Sequence, residues 1–382
     1  MKNFIAYNPT KLYFGKNAVS ELGKPASAYG KHALLVFGGG SVLRNGSYGD
    51  ARQQLEQNGI RITEFSGIKP NPRVEDVREA AAIGIKQKVD LVVAVGGGSV
   101  IDSAKIIAIC IAENCDAWKL MTGRYNPSRA IPLIAVLTLA ATGTEMNSAA
   151  VLQNRDTGQK IGFKHDLNYP ALSYLDPSYT LSVPADYTAY GIVDLVAHAM
   201  ESWFGQGEAT LSDRFVIAVI EEALETGPAL MKQLDDYELR EKIMWAATNA
   251  LNNLTGYGRI SGEWGVHALG HVISLLYDTP HGATLSIIYP AWMKAMRERA
   301  GERIRLLGSR LFGTRDVDST ILRLEDFFRE LGSPVRCQDA GIEPSKKEEI
   351  LALMNRNRSQ GIHFKLTDEE RGEILSHAFQ TR

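Results

Sequence analysis

Leu91-Val92-Val93-Ala94-Val95-Gly96-Gly97-Gly98-Ser99 is the stretch whose reading decides the fold. Its apolar, mostly β-branched residues run without a polar interruption, the pattern of a strand buried on both faces of a parallel sheet. The glycines end that strand, and Asp102 and Lys105 fall in the helical stretch that begins close behind. Strand, glycines and helix start is the order that cradles an anion. Backbone amides can approach it without a Cβ in the way, and the helix N-terminus adds partial positive charge. Taken alone, the same turn serves equally well as a tight strand-to-helix connection.

Working outward, the arrangement recurs. Ala33 to Phe37 runs into Gly38-Gly39-Gly40-Ser41, and Ile131 to Leu137 runs into Thr138-Leu139-Ala140-Ala141-Thr142-Gly143-Thr144. In an open α/β sheet the loops at the carboxyl ends of the strands converge on one crevice, so three polar turns there predict a ligand site. Neither glycine turn reads Gly-x-Gly-x-x-Gly, so a variant nucleotide-binding arrangement is expected. A carboxylate at the end of the Ala33 to Phe37 strand would hold the ribose of NAD and repel a 2′-phosphate. This turn has glycines, Ser41 and nearby Arg44 instead, which points to NADP(H).

After Leu175-Asp176-Pro177 and Val183-Pro184 the strand-like alternation stops and helical apolar spacing takes over. The expected division is therefore an α/β dinucleotide-binding domain over 1–180 and an all-α, metal-binding catalytic domain over 181–382. Helices are expected around Ile192 to Phe204, Asp213 to Leu224, Glu238 to Leu254, Glu263 to Leu276 and Ile304 to Leu311. Within the helical half, Asp194 and His198 stand four residues apart and share one helix face. His267 follows on a later helix, and His281 comes after the break at Thr279-Pro280. One carboxylate and three imidazoles make a ligand set for Fe(II) or Zn(II) with a position left for substrate. A lone His in an apolar helix is more often a hydrogen-bonded core residue, and His271, one turn past His267, is an alternative ligand by spacing alone.

Composition narrows the classes. The chain has 382 residues, 45% hydrophobic and 23% charged, with a net charge of −2. This is long enough for two cores and carries no basic field for a polynucleotide. Three cysteines, Cys110, Cys115 and Cys337, form neither a disulfide framework nor a zinc-type pair. The N-terminus lacks a signal-like apolar core, and the longest apolar run is too short to span a bilayer. A cytoplasmic setting, with no membrane and no nucleic-acid partner, is the expectation.

Gly96-Gly97-Gly98-Ser99-x-x-Asp102, the Thr138 to Glu145 turn, Leu175-Asp176-Pro177, Asp194-x-x-x-His198, and His267-x-x-x-His271 with Pro280-His281-Gly282 together resemble the iron-containing, group III alcohol dehydrogenases over essentially the whole length. The resemblance is strongest to the branch of NADPH-dependent aldehyde reductases and butanol dehydrogenases. It implies a dehydroquinate-synthase-like nucleotide domain, a helical metal domain and an active site in the cleft between them. It implies Asp194, His198, His267 and His281 as metal ligands, Asn71 near the adenine, and Thr138, Thr142 and Lys160 along the cofactor. Relatives that prefer NAD tend to carry Asp where this chain has Gly38. The resemblance also implies that Phe4 to Phe14, which looks strand-forming, pairs as a hairpin across a homodimer. Leu137-Thr138-Leu139 and Glu263-Trp264-Gly265 depart from the family's pattern and set a bulky Trp264 near the expected pocket.

The expected reaction is hydride transfer between NADP(H) and small aliphatic aldehydes or primary alcohols. Gly38, Gly39, Ser41, Gly97, Gly98, Ser99 and Asp102 are the other expected cofactor contacts. His271 is the candidate proton relay, or else a partner that orients a ligand. The competing readings are a glycerol or polyol dehydrogenase, a lyase of the dehydroquinate synthase type, and a non-catalytic nucleotide-binding protein.

Overall fold

The computed structural model describes residues 1–380. The continuous apolar runs become the middle of a six-stranded, all-parallel sheet in the order β1-β8-β5-β4-β2-β3. Its strands are β1 Lys11–Phe14, β2 His32–Phe37, β3 Arg61–Phe65, β4 Leu91–Gly96, β5 Leu133–Leu137 and β8 Leu172–Leu175. A separate antiparallel ribbon pairs β6 Ala149–Asn154 with β7 Gln159–Lys164. In register, Val36 lies beside Ala94 and Val95 beside Val136, so the ends of β2, β4 and β5 are level.

Successive side chains of a strand point to opposite faces, so each central strand feeds two cores. On one face Leu34, Val36, Val92, Ala94 and Ala135 pack with Val74 and Val77 of the Val74–Gln87 helix and Ile101 and Ala104 of the Gly98–Glu113 helix. On the other, Ala33, Leu35, Val93, Val95 and Val136 pack with Ala51 and Leu55 of the Ser47–Gln57 helix. Burying each large aliphatic side chain contributes about 1.5–3 kcal/mol, so sheet position is over-determined at β2, β4 and β5.

From Pro184 on, the regular elements are all helices apart from an isolated bridge between Gln206 and Ser261, among the described residues. The helices that matter most are Ala185–Trp203, Gly265–Tyr277 and His281–Ala295. The last is buried continuously from Gly282 to Met293, as an all-round apolar helix should be. No helix among the described residues is long and apolar enough to cross a membrane.

The chain forms two compact units, and the division is discontinuous rather than a single cut near residue 180. One unit holds Tyr7–Val183 together with Leu234–Thr248; the other holds Met1–Ala6, Pro184–Gln233 and Asn249–Arg382. Leu234–Thr248 joins the sheet unit because Met244 sits in its core and the Thr248 hydroxyl donates to Glu145 Oε1 at 2.5 Å. Of the stretch Phe4 to Phe14, only Lys11–Phe14 is a strand within the chain, running parallel to β8.

Candidate functional site

In the sheet unit, the turn after β4 starts the Gly98–Glu113 helix with Gly97 at the N-cap and no side chain capping it. Its first N–H groups are therefore open to an anion, and the helix dipole favours one. Glycine is required at 98, where a Cβ would come within 2.6 Å of the Thr142 side chain. At Gly97 a Cβ would lie 3.2 Å from Leu139, so the third turn closes over the second. Thr138 N–H donates to Gly96 O at 3.0 Å, tying β5's end to β4's. Ser99 follows on the first helical turn.

Asp102 is turned inward. Its Oδ1 accepts from Thr144 Oγ1 at 2.5 Å and its Oδ2 from Val151 N–H at 2.9 Å, so it braces the segment leading into β6. Beneath it, the fully buried Lys105 ammonium donates to Asn147 O, Asn147 Oδ1 and Ala149 O, and burial pushes its pKa down to about 8. Asn71 and Lys160, distant in sequence, meet: Lys160 Nζ donates to Asn71 Oδ1 at 2.7 Å. Asn71 takes a left-handed backbone (φ 57°), a conformation Asn tolerates better than most residues. Gly38 follows β2, where a Cβ would sit 3.2 Å from Ile68 O, whereas Gly39 faces open space. Ser41 and Arg44, both exposed, begin and end a one-turn helix.

In the helical unit, Asp194 and His198 lie one turn apart on the Ala185–Trp203 helix, as their spacing requires. His267 belongs to the Gly265–Tyr277 helix, and His281 is the first residue of the next, entered through Pro280. Glycine at 282 lets that helix start against its neighbour, since a Cβ there would meet Tyr190 O at 2.1 Å. The result is convergence: His198, His267 and His281 direct Nε2 at Asp194 Oδ1, from 3.7, 3.8 and 3.6 Å. Donor atoms of Asp194, His267 and His281 all lie within 4.8 Å of one another.

Asp194 Oδ1 and His267 Nε2 are buried and have no hydrogen-bond partner. Buried polar atoms are seldom left so, and a divalent cation among these atoms would satisfy them. The donor set, one carboxylate oxygen and three imidazole nitrogens, fits Fe(II) or Zn(II). His271 lies outside the trio, its ring 5.3 Å from that of His281 and 6.4 Å from that of His267.

Glu201, which is not among the residues expected from the sequence, stands behind His267. Its Oε1 is 2.7 Å from His267 Nδ1 and accepts the His267 backbone N–H at 3.2 Å, while its Oε2 accepts Trp264 N–H at 2.6 Å. The signal was available: Glu201 is seven residues past Asp194 and three past His198, on the same helix face. Burial alone would lower the His267 pKa, but the Asp194 and Glu201 carboxylates outweigh it and push it up to about 9. Surroundings that favour a proton there also favour a cation.

Trp264, in a left-handed conformation (φ 65°), sets its ring 5.3 Å from His267 and 6.2 Å from His198. Next to it, Glu263 is buried and pushed up to about 7, first by burial and then by the Glu201 charge, against N–H bonds from Phe364 and His363.

The sheet unit thus holds a glycine-lined, uncapped helix start of the kind that binds a nucleotide pyrophosphate, and the helical unit holds an Asp and three-His cluster of the kind that could hold a divalent cation. Comparison with known proteins agrees. The family model for iron-containing alcohol dehydrogenase matches residues 9–177, and the model for the family's C-terminal part matches residues 188–379. The chain is 38% identical to a protein named probable NADH-dependent butanol dehydrogenase 1 of Bacillus subtilis, over 98% of each chain. It is 35% identical to the NADPH-dependent aldehyde reductase YqhD of Escherichia coli, over 95% of this chain and 94% of that one. The crystal structure of NADH-dependent butanol dehydrogenase A from Thermotoga maritima superposes with a TM-score of 0.95 at 35% identity, covering 100% of this chain and 99% of that one. The chain belongs to the iron-containing alcohol dehydrogenase family and is an oxidoreductase of the alcohol dehydrogenase and aldehyde reductase type.

Proposed function

We propose that this enzyme reduces small aliphatic aldehydes to primary alcohols with NADPH, with one Fe(II) or Zn(II) held by Asp194, His198, His267 and His281. The observation that carries this reading is the convergence of the three Nε2 atoms on Asp194 Oδ1 at 3.6–3.8 Å, with two of the buried donor atoms otherwise unsatisfied. When bound, the cation supplies an electrophile that polarises a carbonyl oxygen.

The remaining work falls to the chain itself. Gly97, Gly98 and Ser99 offer uncapped amides to the coenzyme pyrophosphate. Thr138 and Thr142 line the same turns, and the Lys160–Asn71 pair supplies a buried polar contact for the coenzyme. Trp264 covers the His198 and His267 rings, keeps water from that side and narrows the space for substrate. His271, partly exposed beside His281, relays a proton at its imidazole nitrogen between the substrate oxygen and solvent.

The coenzyme preference rests on the β2 turn, because the named relatives divide between NADH and NADPH. That turn has Gly38 and the open Gly39 where a carboxylate would repel a 2′-phosphate, and it exposes Ser41 and Arg44. The test is oxidation of NADPH and of NADH with butanal, on metal-stripped protein reconstituted separately with Fe(II), Zn(II) and Mn(II). Metal-restored activity that is stronger with NADPH supports the reading. Activity stronger with NADH removes the coenzyme assignment, and no activity with any metal removes the reductase assignment.

A further inference from the structure

The Glu201 carboxylate has three partners, and two of them settle its chemistry. The backbone N–H groups of Trp264 and His267 are obligatory donors, and they take Oε2 and Oε1 respectively. The third, His267 Nδ1, lies 2.7 Å from Oε1. A charged carboxylate only accepts, so Nδ1 carries its proton and donates. The ring's other nitrogen, Nε2, faces Asp194 Oδ1 from 3.8 Å and is the atom left to give its lone pair to a cation once it sheds any proton it holds.

The same contacts place Glu201 at the start of the Gly265–Tyr277 helix. That helix has Trp264 at its N-cap and no side chain of its own capping it. Glu201, from the Ala185–Trp203 helix, takes the N–H groups of the N-cap residue and of the third helical residue, His267. It thus caps the helix across space and complements its dipole. Holding Trp264 N–H also fixes the strained left-handed residue whose ring lies against His198 and His267. Glu201 is wholly inaccessible to solvent, so its charge needs compensation from within. With Asp194 it makes two carboxylates around one site, the charge that neutralises a divalent cation.

The geometry points to Glu201 as a positioning residue that sets the His267 tautomer for cation binding and, through the same carboxylate, locks Trp264 over the site. This inference rests on the metal reading given above. Glutamine cannot substitute for it: with a single oxygen, its NH2 group must face either the Trp264 N–H or the His267 side, donor against donor.

The experiment compares the metal-stripped full chain with its Glu201→Gln variant. Zn(II) affinity is measured by competition with a chromophoric chelator, and Co(II) binding is followed by the visible absorption of the loaded protein. The variant should bind Zn(II) about 10–100-fold more weakly, with a shifted Co(II) band. Affinity within about threefold of the parent chain and an unchanged Co(II) band would overturn the Glu201 role alone, since that is less than an orienting partner's loss costs. A parent chain that binds neither cation would overturn the metal reading itself. Should the Gln variant not fold, 15N-histidine NMR of the Zn(II)-loaded parent decides. The inference requires a far-downfield, slowly exchanging Nδ1–H on a ring that carries the metal at Nε2, and a metal-bearing set without such a proton contradicts it.

Discussion

The two functional regions work by different means. The sheet unit presents backbone: Gly97 and Gly98 expose amides at an uncapped helix start, and side chains such as Thr142 and Asp102 shape or brace the turn. The helical unit presents side chains: Asp194, His198, His267 and His281, drawn from three helices, with the buried Glu201 carboxylate against His267. A backbone site depends on the absence of a Cβ and on turn shape. A side-chain site depends on charge and tautomer. Substitutions should therefore separate the two cleanly.

The largest separation is expected at Asp194→Asn. Removing the charge on which three imidazoles converge should weaken metal binding by more than about 100-fold, beyond the range for loss of an orienting partner. Aldehyde turnover should fall with it, while NADPH binding, read by coenzyme fluorescence, stays unchanged. Gly98→Ala is the mirror experiment. Its Cβ would press on Thr142 at 2.6 Å. Thermal or denaturant unfolding should show a loss of about 1–3 kcal/mol, the usual cost of overpacking. Coenzyme affinity should drop as well, with metal affinity untouched.

Glu263 sharpens the contrast through pH. Its carboxyl is raised from 4.5 to about 7 in the folded chain, so the folded state holds the proton more tightly than the unfolded state does. The stability it contributes is fully present below about 4.5 and is lost as pH rises through about 7, on the order of 3 kcal/mol. Denaturant midpoints across that window should fall for the parent chain relative to Glu263→Gln, whose side chain does not titrate. The smallest effect is expected at Gly38→Asp. A carboxylate at the end of β2 should raise KM for NADPH about tenfold relative to NADH, near 1.4 kcal/mol, and leave the metal site as it was.

The same contrast explains what could be read in the sequence. Strands β2, β4 and β5 were legible because burial on both faces leaves a continuous apolar run, and their glycine or threonine ends mark the turns. Edge strand β3, Arg61-Ile62-Thr63-Glu64-Phe65, is mostly solvent-facing, and the β6–β7 ribbon lies outside the main sheet, so neither carries that signature. The helix expected to end near Leu224 continues to Lys232 through Gly227 and Pro228, because packing against Ile192 and Leu331 outweighs the lost hydrogen bond. The passage of Leu234–Thr248 into the sheet unit depends on Met244 and Thr248 finding partners far away in sequence, which no local pattern announces.

At the site, the one-turn spacing of Asp194 and His198 was visible, and His267 and His281 stood out as histidines in apolar segments. Spacing left His271 interchangeable with a ligand; in the fold its ring lies 5.3 Å from that of His281 and 6.4 Å from that of His267. Glu201 shares the helix face of Asp194 and His198, but no local pattern says which element meets it. Only the approach of the Gly265–Tyr277 helix reveals that it is buried and fully used.

The most direct test is anomalous X-ray scattering at the zinc edge from crystals of the zinc-loaded protein. The account predicts one strong peak at about 2.0–2.2 Å from a carboxylate oxygen of Asp194 and from Nε2 of His198, His267 and His281, with His271 outside bonding distance. A peak coordinated by His271 in place of one of these, or no peak among the four side chains, would contradict it.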